Sequence, residues 1–173
     1  MKLAVIIVSG FLLATGPSWS ADMVVDIHAI DDTGMGSSLG TIAVSATPYG
    51  TLFSPELTGL TPGLHGFHVH ENPNCSAAVK GGKTVPGLAA GGHYDPAGSG
   101  RHEGPYANGH LGDLPPLFAD RNGQSSLPVL SPRIKLSDLK GRSLIIHAGG
   151  DNFSDSPKAL GGGGARVACG LVQ

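Results

Sequence analysis

A chain of 173 residues with 11 basic and 13 acidic side chains has a formal charge of −2, too small and of the wrong sign for an electrostatic grip on nucleic acid. Its 28 glycines and 13 prolines break the chain too often for long helices. One all-β domain with a sizeable core is therefore the expectation.

The first twenty residues, MKLAVIIVSGFLLATGPSWS, place a cation at Lys2, an apolar run from Leu3 to about Thr15, and the small residues Ser18 and Ser20 where a processing enzyme cuts. This is the pattern of a cleaved export leader, residues 1–20, ahead of a domain spanning 21–173 that begins at Ala21. Loss of Lys2 leaves ten basic against thirteen acidic residues, a charge of −3. The apolar run falls short of the roughly 20 residues that cross a bilayer, and nothing later approaches that length, so no membrane anchor is expected. Export to an oxidising compartment lets the two cysteines, Cys75 and Cys169, form a disulfide with no thiol left over.

Beyond the leader, short alternating or β-branched runs recur: MVVDIHAI, GTIAVSA, YGTLFSPEL, LHGFHVH, SLIIHA and ARVACGLV. Glycine, proline, aspartate and serine punctuate them, as in the antiparallel strands of a sandwich or barrel. Two long segments, Glu71 to about Asp120 and Gly149 to Gly164, lack strand character and are expected to be functional loops. The run Gly161 to Gly164 lacks the lysine and hydroxyl residue of a phosphate cradle, so it is expected to form a tight turn.

Eight histidines are unevenly spread. On the strand LHGFHVH, His68 and His70 stand two apart and point to one face. The fragments GGHYDP, GRHEG and GHLGDLP then place His93, His102 and His110 in one glycine-rich loop, with Asp113 three residues after the last. Three nitrogens and a carboxylate oxygen make a closed tetrahedral set suited to zinc, which could staple so irregular a loop. His68 and His70 still lack partners, and SLIIHAGGDN supplies His147 at a strand end. Imidazoles without thiolate or carboxylate suit copper better than calcium or magnesium, so a second metal is implied.

The motifs GFHVHENPNC, GGHYDP, GHLGDLP, IIHAGGDN and GGGGARVACG resemble those of the copper,zinc superoxide dismutases in their exported bacterial form, over roughly Val24 to Val172. The resemblance implies an eight-stranded Greek-key β-barrel or sandwich with long metal-binding and electrostatic loops. It makes His68, His70, His93 and His147 copper ligands, and His93, His102, His110 and Asp113 zinc ligands. His93 thereby bridges the two metals, a role that spacing alone does not reveal. It further makes Asp151 the carboxylate that orients His68 and His102, and Arg166 the active-site cation, tethered through the Cys75–Cys169 bridge. His65 becomes a backbone brace rather than a ligand, and His28 is left as an exposed strand residue.

The function that this resemblance implies is dismutation of superoxide to oxygen and hydrogen peroxide in the periplasm, by a monomer or homodimer, with Arg166 and His93 in catalytic roles. Lys80 and Lys83 are candidates for the rim of a positive funnel that steers the anion. The competing possibility is an exported copper or zinc carrier on the same fold. Such a role requires neither a bridging His93 nor Arg166.

Overall fold

The computed structural model describes residues 20–173; the predicted leader, apart from Ser20, lies outside the described residues. The expected strands appear as β1 (Met23–Asp31), β2 (Gly34–Thr47), β3 (Gly50–Leu57), β4 (Gly63–His65), β5 (Phe67–His70), β10 (Arg142–His147) and β11 (Arg166–Val172). Four short strands complete the set: β6 (Ala78–Lys80), β7 (Lys83–Val85), β8 (Leu117–Ala119) and β9 (Val129–Ser131). Among the described residues helix is confined to single turns, one of them α1 (Leu136–Leu139).

Seven strands form one antiparallel sheet in the order β5-β10-β11-β1-β2-β3-β9. Phe53 on β3 and Phe67 on β5 belong to strands far apart in that order, yet their rings meet edge to face with centroids 5.5 Å apart. The sheet is therefore curled on itself around a common core. That core takes Ile27, Ile42, Val44, Val69, Leu144 and Ile146 from the strands. The barrel that the resemblance implies is realised as this curled sheet plus the β4–β8 ribbon, nine strands rather than eight because LHGFHVH is divided between β4 and β5, and the ribbon packs Leu117 and Ala119 into the same core.

Two expectations need correction. LHGFHVH is not one strand: at Gly66 the backbone leaves the β4–β8 pairing, donating to the Gly149 carbonyl and accepting from the His147 amide, and β5 then joins β10. The segment 71–120 is also not free of strands, since it holds the β6–β7 hairpin and β8. These are three-residue strands flanked by glycine or proline, too short for an alternation to declare itself.

Cys75 and Cys169 form the expected disulfide, closing a sequence separation of 94 residues. The bridge is buried with Ile30, Ala90 and Ile145 in a second, smaller cluster on the opposite face of the sheet from the main core. Closing so long a loop restricts the unfolded chain, which places the bridge toward the upper end of the usual range of about 2–4 kcal/mol. Cys75→Ser should lose stability of that order in a denaturant titration; an unchanged midpoint and slope would show that the bridge contributes nothing.

Candidate metal centre

The pleat sorts the side chains of β5 and β10. Phe67, Val69, Leu144 and Ile146 enter the core, so His68, His70 and His147 leave from the other face, beneath the long loops. The ends of the 93–113 loop lie against β5 as backbone neighbours. Tyr94 donates to the Val69 carbonyl at 2.8 Å, and Val69 donates to the Gly112 carbonyl at 2.9 Å. This pairing sets His93 opposite His70 and Asp113 opposite His68.

Four buried imidazoles meet there: His68, His70, His93 and His147, whose potential ligand atoms all lie within 4.8 Å of one another. In each ring one nitrogen is held. Asp151 Oδ2 faces His68 Nε2 at 2.7 Å, the Gly91 carbonyl faces His70 Nδ1 at 3.0 Å, the Gly164 carbonyl faces His147 Nδ1 at 3.1 Å, and Asp113 Oδ1 faces His93 Nδ1 at 2.9 Å. Carbonyl and carboxylate oxygens only accept, so these nitrogens carry the protons. The remaining nitrogens, Nδ1 of His68 and Nε2 of His70, His93 and His147, are buried without a hydrogen-bond partner. Buried polar atoms are rarely left so, and four converging lone pairs are what a metal ion requires.

Burial keeps this cluster neutral. It holds His68 well below the ordinary histidine range, with His93 and His147 reinforcing the shift. Burial, then His93 and Arg166, does the same to His70. Burial brings His147 down to about 4 despite its bond to Gly164, and lowers His93 against the opposing pull of Asp113.

A second cluster gathers on Asp113 Oδ1, which lies 2.9 Å from His93 Nδ1, 3.0 Å from His102 Nδ1 and 3.3 Å from His110 Nδ1. His102 Nδ1 is not aligned for a hydrogen bond in spite of that distance, and Asp113 Oδ2 also lacks a partner. The tightest set here joins His68, His93, His102 and Asp113, with His110 at its margin. Burial works against protonation of His102, yet the carboxylates of Asp113 and Asp151 outweigh it and raise the ring to about 9. Burial alone would raise Asp113, but His102 and His93 hold its carboxyl well below the usual range.

Asp151 joins the clusters through Oδ2 on His68 Nε2 and Oδ1 on His102 Nε2, at 2.7 and 2.8 Å. Gly161, at φ 68°, lies so close that a Cβ there would strike this carboxylate. The predicted turn at Gly161 to Gly164 thus serves to admit Asp151. Arg166, half-buried at the start of β11, donates to the Gly87 carbonyl and, at 2.6 Å, to the Gly91 carbonyl. Gly91 therefore fixes His70 and Arg166 with one oxygen. Nothing in the sequence marks the carbonyls of Gly91 and Gly164 for these tasks, since every residue has one.

His65 behaves as expected and braces the backbone, its ring nitrogens 2.7 Å from the carbonyls of His147 and Thr61, whereas His28, outside both clusters beside the Gly36 carbonyl, is half-buried rather than exposed. Lys80 and Lys83 face each other across the β6–β7 hairpin, both exposed. Among the described residues no helix is long and apolar enough to cross a membrane.

Residues 38–172 match the family model for copper/zinc superoxide dismutase. The chain is 52% identical over 176 residues to superoxide dismutase [Cu-Zn] 1 of Salmonella typhimurium, covering 100% of this chain and 99% of that protein. Among solved structures, the copper/zinc superoxide dismutase of Brucella abortus superposes with a TM-score of 0.86 at 51% identity, over 87% of this chain and 99% of its own. The monomeric enzyme of Salmonella enterica superposes at 0.79 and 47%, with the same coverage. A match of this extent, on a curled antiparallel sheet that carries two adjoining ligand clusters, makes the chain a member of the copper/zinc superoxide dismutase family.

Proposed function

We propose that His68, His70, His93 and His147 hold copper, that His93, His102, His110 and Asp113 hold zinc, and that Arg166 receives the substrate. The observation that carries the assignment is the set of four buried ring nitrogens without partners, one from each histidine of the first cluster. His110 is preferred to His68 on the zinc side because the nitrogens of His68 face partners outside that set, Nε2 to Asp151 and Nδ1 to the first cluster, whereas Nδ1 of His93 faces Asp113, a member of it. The donor sets suit the metals: imidazole nitrogens alone for copper, and nitrogens with one carboxylate for zinc.

The enzyme converts two superoxide anions and two protons into oxygen and hydrogen peroxide. Copper, when bound, supplies a centre that changes oxidation state by one electron, whereas zinc keeps a single state. Around them the protein does three things. Hydrogen bonds from His68, His70 and His147 to Asp151, Gly91 and Gly164 fix the tautomers, so no ring must reorient during turnover. Arg166 places a cation close enough to depress protonation of His70 and His147, and that charge draws in and orients an anion. His93 Nδ1, which donates to Asp113 in the metal-free cluster, would give up that proton to bind zinc, and Nε2, when not engaged by copper, could hold a proton and give it to the peroxide product; water supplies the second.

Every proposed ligand comes from one chain, so a single copy is a complete catalytic unit. The leader pattern at 1–20 and the Cys75–Cys169 bridge both suit an exported, periplasmic enzyme. The shared His93 is tested by spin resonance. Cu(II) protein should give a tetragonal, nitrogen-rich signal that changes when zinc alone is withdrawn. An identical spectrum without zinc would remove His93 from one of the two sets.

A further inference from the structure

Between the proposed zinc ligands His102 and His110 the chain makes an excursion with neither helix nor strand. Gly104 and Pro105 are buried, residues 106–108 are exposed, and Gly109 and His110 are buried again, so the segment runs out to solvent and back through a narrow neck. Among the described residues, one backbone hydrogen bond crosses that neck, from His110 N–H to the Arg101 carbonyl at 2.9 Å. The neck is held instead by a side chain from the barrel. Arg133, two residues past the edge strand β9, donates from its guanidinium to the carbonyls of Gly109 at 2.8 Å, Gly104 at 3.4 Å and His110 at 3.4 Å.

We propose that Arg133 is a positioning residue for zinc, a clamp that closes the neck of the 104–110 excursion and so aims His102 and His110 at Asp113. The inference rests on the assignment of His102, His110 and Asp113 as zinc ligands. Three carbonyl oxygens turned toward one point repel each other unless a cation with several donors lies between them. A guanidinium supplies a rigid fork of five N–H groups and a permanent charge, whereas an ammonium offers three donors at one point. One end of the clamp is anchored, since Ser131 of β9 pairs with Thr51 of β3 in the main sheet. The barrel thereby imposes order on a loop whose own backbone bonds are too few to hold two ligands in register. Partners of this kind, one step removed from the ion, are typically worth about 10–100-fold in metal affinity.

The test uses the enzyme loaded with copper and zinc, and measures zinc release into excess chelator for Arg133→Met, Arg133→Lys, Arg101→Gln and His110→Ala. Arg133→Met should release zinc at least about tenfold faster while the Cu(II) spin-resonance signal, read before chelation, stays as in the unaltered enzyme. Arg133→Lys should fall between, since it keeps the charge and loses the fork. Arg101→Gln removes an exposed charge from the same loop, where the Arg101 side chain pairs with Glu103, and should not alter release. Should Arg133→Met fail to fold, the lysine variant still decides, because an unaltered release rate there overturns the clamp. Faster release in His110→Ala with none in either Arg133 variant also overturns it while leaving the zinc ligands in place. No acceleration in His110→Ala overturns the ligand assignment and the clamp together.

Discussion

Arg166→Glu should lower the second-order rate of superoxide consumption by about tenfold to a hundredfold, within the range that electrostatic steering supplies. The substrate is a small anion and the protein carries a net negative charge, so attraction must come from local cations. Arg166 lies within electrostatic reach of His70 and His147, and Gly87 and Gly91 hold its guanidinium in place. Salt separates steering from simple loss of structure. Exposed charges are screened over about 8–10 Å at moderate ionic strength, so the unaltered enzyme should slow as salt rises while the Glu variant slows less or speeds up. Arg166→Lys should keep part of the rate, because it preserves charge but lacks the fork that binds an anion through two donors. Copper content must be checked in each protein, since Gly91 also holds His70. Parallel salt slopes in all three would return Arg166 to a structural role.

How much of the fold and the site was legible in the sequence depends on whether a side chain or a backbone atom does the work. Long β-strands declare themselves by alternation, and β1, β3, β10 and β11 fall where the apolar pattern puts them, while β2 starts at Gly34, ahead of the run GTIAVSA that marked it. The three-residue strands β6 to β9 do not, because their pairing is imposed by the folded chain. Histidine spacing located both clusters, since imidazole has few structural reasons to recur within one glycine-rich loop. What spacing could not show is that His93 faces both ways, which emerges only when the loop ends pair with β5. The carbonyls of Gly91 and Gly164, and the grip of Arg133 on Gly104, Gly109 and His110, leave no trace at all in residue type. A lone arginine after a strand reads as a solvated charge until its partners are known.

Zinc affinity of the metal-free protein should rise about tenfold for each pH unit between roughly 6.5 and 9 and then level off. The two clusters differ in what metal binding must displace. In the first, burial leaves His68, His70 and His147 neutral at pH 7, with lone pairs already free. In the second, Asp113 and Asp151 raise His102 to about 9, so the ring is a cation at neutral pH and must lose a proton before Nδ1 can bind a metal. One proton released per zinc bound gives one decade per pH unit, the dependence disappearing above the pKa of the group that loses it. The same shifts set the metal-free fold's own pH dependence. His102 is raised above its ordinary 6.5, so its contribution to stability is full below 6.5 and fades as pH climbs toward 9. His147 is depressed to about 4, so its contribution is full above 6.5 and fades as pH falls toward 4. Stability of the metal-free protein should consequently peak near pH 6.5. Competition against a chelator of known proton dissociation constants measures the zinc slope, and Asp151→Asn, which removes one of the two carboxylates holding the His102 proton, should bring the levelling-off to lower pH. A flat affinity between about pH 7 and 9, or a levelling-off that Asp151→Asn leaves in place, would mean that His102 carries no proton that zinc must displace.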